Sequence, residues 1–397
     1  ITKFARYYTP AVVLTAAALA FIPPLITGAP LGAWVSRALV FLVVSCPCAL
    51  VISIPLSFFG GIGGASKNGI LIKGSNYLEA LNNVDTVVFD KTGTLTQGVF
   101  QVTKIESAGD FSENDLLEYA AFSESYSTHP IALSILKAYG NEINSEFIRD
   151  YSEIPGYGVR TLVKGKTVLA GNERLMKQEA IPYAEITDIG TAVHIAVDHQ
   201  YAGFIVISDE IKKDSLNTIL ELRTLGIQKL VMLTGDHQAV GVAVGKHLGL
   251  DQIHAELLPD QKVALVEQLE REKASPKGKL VFMGDGINDA PVLARADIGI
   301  AMGGVGSDAA IEAADVVLMT DEPSKLVTAI KIAKRTRLIV TQNIYLALGV
   351  KGIVLLLGAL GFANMWEAVF ADVGVALLAV LNSMRVMTVK NKESLTA

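Results

Sequence analysis

Two stretches of this chain carry no charged side chain at all, Tyr7 to Ser36 and Ala38 to Ser66. Each exceeds the roughly 20 apolar residues that cross the hydrocarbon core of a bilayer as a helix. Inside hydrocarbon every backbone amide needs an internal partner, so such stretches must fold as helices. Two comparable stretches lie near the C-terminus, and four spans are read: 10–26, 39–60, 338–361 and 366–384. The whole composition agrees: 19% of the 397 residues are charged, against about a quarter in an ordinary globular chain. A purely soluble protein is excluded, and the normally polar middle of the chain excludes one that is all membrane. The net charge of −6 argues against a nucleic-acid partner. The chain begins at Ile1, with no leader and cleavage site ahead of the first span, and is read as a fragment or processed form.

Lys3 and Arg6 precede the first span, and Lys67 and Lys73 follow the second. Lys331, Lys334, Arg335 and Arg337 precede the third, and Arg385, Lys390 and Lys392 follow the fourth. The positive-inside rule then predicts both termini and the large middle segment in the cytoplasm, with Trp34 and Trp366 at the outer interface. The middle segment alternates strand-like and helix-like runs, the pattern of an α/β fold. Three apolar runs end in aspartates or their immediate neighbours: Thr86–Phe89 before Asp90, Lys229–Leu233 before Thr234-Gly235-Asp236, and Lys279–Met283 before Gly284-Asp285. In open parallel sheets chemistry gathers beyond the carboxyl ends of the strands. Between about 103 and 206 the pattern changes, with turn glycines and no strand-end aspartates, which predicts an inserted domain. The expected layout is two transmembrane helices at 1–65, an α/β domain at 66–102 and 207–337, an inserted domain at 103–206, and two further transmembrane helices with a tail at 338–397.

Asp90-Lys91-Thr92-Gly93-Thr94 presents a carboxylate beside backbone N–H groups, an arrangement that can attack phosphorus and form an aspartyl-phosphate. Thr92 and Thr94 are candidates to hold phosphoryl oxygens, and Gly93 lets backbone approach. Asp285 and Asp289 supply the hard oxygen ligands that Mg²⁺ prefers. Lys262 offers a cation for charge on the transferring group. A single strand-end aspartate is more often a cap; the set is not. These motifs, in this order, resemble those of P-type ATPases: Asp90-Lys-Thr-Gly-Thr-Leu-Thr96, Thr234-Gly-Asp236 and Gly284-Asp-Gly-Ile-Asn-Asp-Ala-Pro291. The resemblance covers nearly the whole chain. It implies that Asp90 is the phosphorylated nucleophile, with Lys91, Thr234, Gly235, Asp236 and Lys262 around it. It also implies a haloacid-dehalogenase-like phosphorylation domain split by an α+β nucleotide-binding domain. No Walker A sequence occurs, and Gly304-Val-Gly-Ser-Asp-Ala309, a weak dinucleotide-type match, is taken as part of the phosphorylation domain.

The inserted region carries Glu124, His129-Pro130, Gly156-Tyr-Gly158 and Gly171. A histidine before proline at a helix start can stack on a flat base, and glycines permit close backbone approach. Heavy-metal P-type ATPases mark their ATP site in this way, which implies that role for Glu124, His129, Gly156, Gly158 and Gly171. The two cysteines, Cys46 and Cys48, flank Pro47 in mid-span. No disulfide is expected between such near neighbours, and paired thiolates at a proline kink suit a soft or borderline ion. Lys351 and Asp372 are ionisable groups deep in the third and fourth spans, expensive there and functional by default. They are read as partners in the empty state, with the carboxylate passing to an arriving ion. Cys46-Pro47-Cys48 resembles the heavy-metal branch as a whole. Gly349-Val-Lys-Gly352 and Ala371-Asp-Val-Gly374 resemble zinc, cadmium and lead exporters rather than copper ones.

The implied activity is ATP- and Mg²⁺-dependent export of a divalent heavy-metal cation, Zn²⁺, Cd²⁺ or Pb²⁺, across a bacterial plasma membrane, with soluble metal donors as partners. A complete member of that family also has an actuator domain with a Thr-Gly-Glu loop, and no Thr-Gly-Glu occurs in this sequence. The alternatives are a copper(I) exporter, a membrane-anchored phosphatase, and a metal-binding membrane protein without catalysis.

Overall fold

The computed structural model describes residues 2–127, 129–186, 190–236, 238–273, 275–285, 289–303, 308–360, 362 and 365–388. The chain opens with helices α1 (Thr2–Thr27), α2 (Leu31–Val44) and α3 (Cys48–Lys67), then β1 (Ile70–Ile72), α4 (Ser75–Ala80), β2 (Val84–Asp90) and β3 (Thr96–Ser107). Next come α5 (Glu113–Glu124), α6 (Pro130–Tyr139), β4 (Ile148–Ile154), β5 (Gly158–Val163), β6 (Lys166–Gly171), α7 (Glu173–Gln178), β7 (Thr191–Val197) and β8 (Gln200–Ile211). Then follow α8 (Ser215–Thr224), β9 (Lys229–Leu233), α9 (Gln238–Leu248), β10 (Gln252–His254), α10 (Pro259–Arg271) and β11 (Lys279–Gly284). The chain closes with α11 (Ala290–Arg295), β12 (Ile298–Met302), α12 (Asp308–Ala313), β13 (Val316–Leu318), α13 (Ser324–Leu360) and α14 (Met365–Met384). Two compact units form, one from Ile1–Val84, Asp315–Met319 and Lys325–Ala397, the other from Asp85–Ala314 and Thr320–Ser324.

The first unit holds four segments long and apolar enough to cross a membrane among the described residues: Arg6–Thr27, Leu31–Lys67, Ser324–Gly358 and Val369–Met387. Two of them differ from the expected spans. The second is not one helix: α2 ends at Val44 and α3 starts at Cys48. Pro47 has no N–H to continue the ladder, and Cys46 N closes α2 on the Val43 carbonyl at 3.2 Å. The third runs back to Ser324, because its basic stretch continues the helix beyond the apolar part. The connection before α2 is also shorter than expected, which puts Trp34 in the helix's first turn with Arg37 over its ring at 4.6 Å. α3 buries a stripe of small residues, Ser53, Ser57, Gly60, Gly61 and Gly64. A Cβ on Gly60 would stand 3.6 Å from the Ser383 carbonyl, so α14 packs backbone-close against α3.

In the second unit β12, β11, β2, β9 and β10 lie side by side in that order, and the printed pairings β11–β12, β2–β9 and β9–β10 are parallel. Every residue of β2 and β11, apart from half-buried Lys279, is buried, as expected for strands covered on both faces. Between β2 and β9 the chain builds a six-stranded antiparallel sheet in the order β3-β8-β7-β6-β5-β4. Its core includes Leu116, Phe122 and Ile135 from α5 and α6 against Val159, Val168, Ile195 and Ile205.

Candidate functional site

The carboxyl ends of β2, β9 and β11 converge because these strands are near neighbours in one sheet. Asp90 closes β2, and the turn after it bends through Gly93 at φ +71°. A Cβ on Gly93 would collide with the Asp285 carboxylate, so only glycine leaves this approach open. Asp90, Asp285 and Asp289 offer carboxylate oxygens all within 4.8 Å of one another. Lys262, in the first turn of α10, donates to Asp90 Oδ1 at 2.5 Å and to Asp289 Oδ1 at 3.0 Å. Burial pushes Asp90 up to about 7, with Asp289 adding repulsion against the pull of Lys262. Burial likewise raises Asp285 to about 6, again helped by Asp289. Lys262 is held above its ordinary value: burial works against its charge, but Asp90 and Asp289 outweigh it. The Thr94 hydroxyl is fully buried and has no partner among the described residues, whereas Thr92 is exposed. Gly286, Ile287 and Asn288 of the expected motif lie outside the described residues, as do Gly304 to Ser307 of the dinucleotide-type match.

Lys91 points away from this cluster. It forms ion pairs with Asp236 and, at 3.7 Å, with Asp209. Thr234 Oγ1 accepts the Asp236 N–H at 3.1 Å, fixing the turn after β9 with Gly235 exposed at its tip. Two residues of this region escaped the sequence reading. Asp209, near the end of β8, accepts from Thr96 Oγ1 and, at 2.8 Å, from Gly98 N. Lys212, buried just past β8, donates from Nζ to the Gly93 carbonyl at 2.5 Å, and burial lowers its pKa. The only hint of them in sequence is an Asp-x-x-Lys spacing after a long strand.

Glu124, His129, Gly156, Gly158 and Gly171 line one cavity of about 300 Å³ in the antiparallel-sheet region. His129 caps α6, its Nδ1 accepting the Ile131 N–H at 3.3 Å; Thr128 before it lies outside the described residues. Burial raises Glu124 to about 7, with Glu153 nearby adding to it. The glycines have different reasons to be glycine. Gly156 turns the chain at φ +78° with open space where a Cβ would stand. Gly158 and Gly171 face each other across β5 and β6, and a Cβ on either would strike the opposite strand's backbone.

In the first unit, Lys351 Nζ donates to Asp372 Oδ1 at 2.6 Å, to the Val44 carbonyl at 2.9 Å and to the Cys46 carbonyl. The Tyr8 hydroxyl donates to the Ser45 carbonyl at 2.7 Å. The carbonyls freed where α2 breaks thus find partners on α1 and α13, as buried acceptors must. The two sulfurs correct an expectation. Cys46 and Cys48 are joined as a disulfide, with their Cα atoms 5.5 Å apart. The break between α2 and α3 turns both side chains to one side, which a continuous helix would not do at this spacing.

The haloacid dehalogenase-like hydrolase family matches residues 84–297. A cadmium, zinc and cobalt-transporting ATPase of Bacillus subtilis is 62% identical over 99% of this chain and 56% of its own length. A zinc-transporting ATPase of Synechocystis is 58% identical over 97% of this chain and 53% of its own. The chain therefore spans about half the length of these relatives. A crystal structure of a zinc-transporting PIB-type ATPase in the E2.Pi state matches with a TM-score of 0.84 at 37% identity, covering 97% of this chain and 63% of that one.

Proposed function

Because the chain belongs to the haloacid dehalogenase-like hydrolases, and among them to the heavy-metal P-type ATPases, we propose that it carries the phosphorylation, nucleotide and ion sites of an ATP-driven divalent heavy-metal exporter. The proposed layout is that read from the sequence, with spans at 1–65 and 338–397, a phosphorylation domain at 66–102 and 207–337, and a nucleotide domain at 103–206. The proposed location is a bacterial plasma membrane, with the catalytic domains cytoplasmic and soluble donors delivering metal.

Asp90 is the proposed nucleophile. One carboxylate oxygen attacks the γ-phosphorus of ATP, a P–O bond forms, and the bond to the bridging oxygen breaks as ADP leaves. The Lys262 ammonium balances charge there, and the unpartnered Thr94 hydroxyl supplies a donor to a phosphoryl oxygen. The carboxylate trio fits Mg²⁺: Asp90, Asp285 and Asp289 would hold it, and their mutual repulsion is what a divalent cation relieves. Bound Mg²⁺ neutralises charge on the phosphoryl oxygens. Lys91, paired with Asp236 and Asp209, ties the turns after β2 and β9 to β8 and positions rather than touches phosphate. Glu124 and His129 are proposed to hold the adenine, with Gly156, Gly158 and Gly171 shaping the cavity.

The observation that carries the ion site is Lys351, which joins Asp372 to the carbonyls of Val44 and Cys46. With the disulfide reduced, two thiolates and one carboxylate make a site of net charge suited to Zn²⁺, Cd²⁺ or Pb²⁺. An arriving ion takes Asp372, and the released ammonium later opposes the bound charge. A carboxylate ligand favours a divalent ion over Cu⁺. The test is ATPase activity of an intact transporter carrying this sequence, in liposomes under reductant, against Zn²⁺, Cd²⁺, Pb²⁺, Co²⁺ and Cu⁺. Stimulation by the divalent ions is expected, and stimulation by Cu⁺ alone overturns the assignment.

A further inference from the structure

Three helices bring polar side chains to one level of the first unit, away from Cys46, Lys351 and Asp372. On α13, Lys351, Ala347 and Asn343 follow at steps of four residues and therefore share a face. On α14, Asp372, Val375, Ala379 and Ser383 do the same at steps of three and four. On α3, Ala49, Ser53 and Ser57 repeat the pattern below Cys48. Read across, these faces form three layers. The first is the ion site. The second is apolar, with Ala49, Ala347 and Val375 packed together and buried. The third is polar: Ser57 Oγ lies 2.8 Å from Ser383 Oγ, Asn343 Nδ2 donates to Ser383 Oγ at 3.0 Å, and Asn382 Nδ2 donates to Asn343 Oδ1 at 2.9 Å.

Neutral polar side chains between membrane helices commonly serve only to hold them together. One atom does not fit that role. The Ser53 hydroxyl is completely buried, lies one turn from Ser57, and has no hydrogen-bond partner among the described residues. A group that merely fastened helices would be paired, because a buried unpaired hydroxyl destabilises the protein. Ser53 stands between Ala49 and Ser57 at four-residue steps on α3, and its backbone carbonyl accepts from Ser383 Oγ at 3.1 Å, so the residue lies between the apolar layer and the layer of paired oxygens.

We propose that Ser53, Ser57, Asn343 and Ser383 form a second cation station, which receives a partly hydrated divalent ion through neutral oxygens before it crosses the Ala49–Ala347–Val375 layer to the thiolates. The proposal rests on the reading of the chain as a divalent-cation exporter and adds an entry step to it. Neutral oxygens bind a divalent ion weakly enough to pass it on, and thiolates then outcompete them. The side of entry follows from α3, which leads from Cys48 through this layer to Lys67 at the proposed cytoplasmic end.

The experiment uses the intact transporter in liposomes, kept reduced, and measures phosphoenzyme formed from ATP against buffered free Zn²⁺ and Cd²⁺. Phosphorylation by inorganic phosphate reports that each variant is folded. Ser53→Ala removes only an unpartnered hydroxyl, so a fastening role predicts wild-type behaviour or greater stability. A station predicts a half-saturating Zn²⁺ concentration raised about three- to tenfold, with the maximal phosphoenzyme level unchanged. Ser53→Cys places a softer ligand there and is expected to shift half-saturation toward Cd²⁺ relative to Zn²⁺ by a similar factor. Wild-type half-saturation in the first variant together with the wild-type Cd²⁺ to Zn²⁺ ratio in the second overturns the station. A wild-type protein whose phosphorylation ignores both metals overturns the exporter reading instead.

Discussion

Asp90 sits among two other carboxylates and one ammonium, all buried except the half-buried Asp285. Its pKa of about 7, against an ordinary 3.8, has a direct consequence for stability. Below about pH 4 folded and unfolded chains both hold the proton. Between about 4 and 7 the unfolded chain gives it up first, so stability falls as pH rises; above about 7 the whole penalty is in place. Asp90→Asn cannot ionise. In thermal scans with chelator, it should melt roughly 2–8 °C above the wild type at pH 8 and near the wild type at pH 4.5. An equal difference at both pH values sinks this account. Lys212 makes a different point. Its ammonium holds the Gly93 carbonyl, the residue whose bare Cα clears the way to Asp285. Lys212→Ala should slow phosphorylation from ATP on the order of 10- to 100-fold through misplacement of the turn, with nucleotide affinity unchanged; a pure affinity loss contradicts it. Asp90, Lys262, Asp285 and Asp289 were legible in the sequence because each sits in a motif whose chemistry is local. Asp209 and Lys212 were not, since their partners Thr96, Gly98 and Gly93 lie more than a hundred residues away along the chain.

At the scale of elements, the strands ending at Asp90, Leu233 and Gly284 could be read from apolar runs followed by polar turns. The break in the second span could not be placed to the residue. Proline announced a kink, but the ends at Val44 and Cys48 depend on side chains elsewhere that satisfy the carbonyls between them: Tyr8 on α1 and Lys351 on α13. The same break explains the failed expectation about the cysteines. A continuous helix would splay Cys46 and Cys48, whereas two helices meeting at Pro47 bring them together. The pair then has two chemical forms, and only the dithiol can bind metal. Protein kept oxidised should show no metal-dependent phosphorylation from ATP, and a dithiol reductant should restore it. Phosphorylation from inorganic phosphate should be the same in both forms. Full metal stimulation of oxidised protein would remove the cysteines from the ion site.

At the scale of the whole molecule, the four apolar segments lie in one compact unit, together with the polar stretches 67–84, 315–319 and 325–337, and the rest of the polar middle forms the other. Each unit has its own cluster of ionisable groups: carboxylates and an ammonium at a sheet edge, and cysteines, a lysine and an aspartate among helices. A change in one set should therefore leave the local geometry of the other intact, while breaking whatever passes between them in function. Asp372→Ala is the clean case. It deletes the partner of Lys351 without touching the sheet edge around Asp90. The buried ammonium keeps the Val44 and Cys46 carbonyls, so the fold persists at a cost of about 1–3 kcal/mol for the lost charged contact. Metal-stimulated ATP hydrolysis should fall at least about tenfold, phosphorylation by inorganic phosphate should remain, and nucleotide affinity should match the wild type. Retained metal stimulation would free Asp372 from ion binding. Joint loss of all three activities would show instead that the two units fail together, and that the separation read from charge alone does not extend to function.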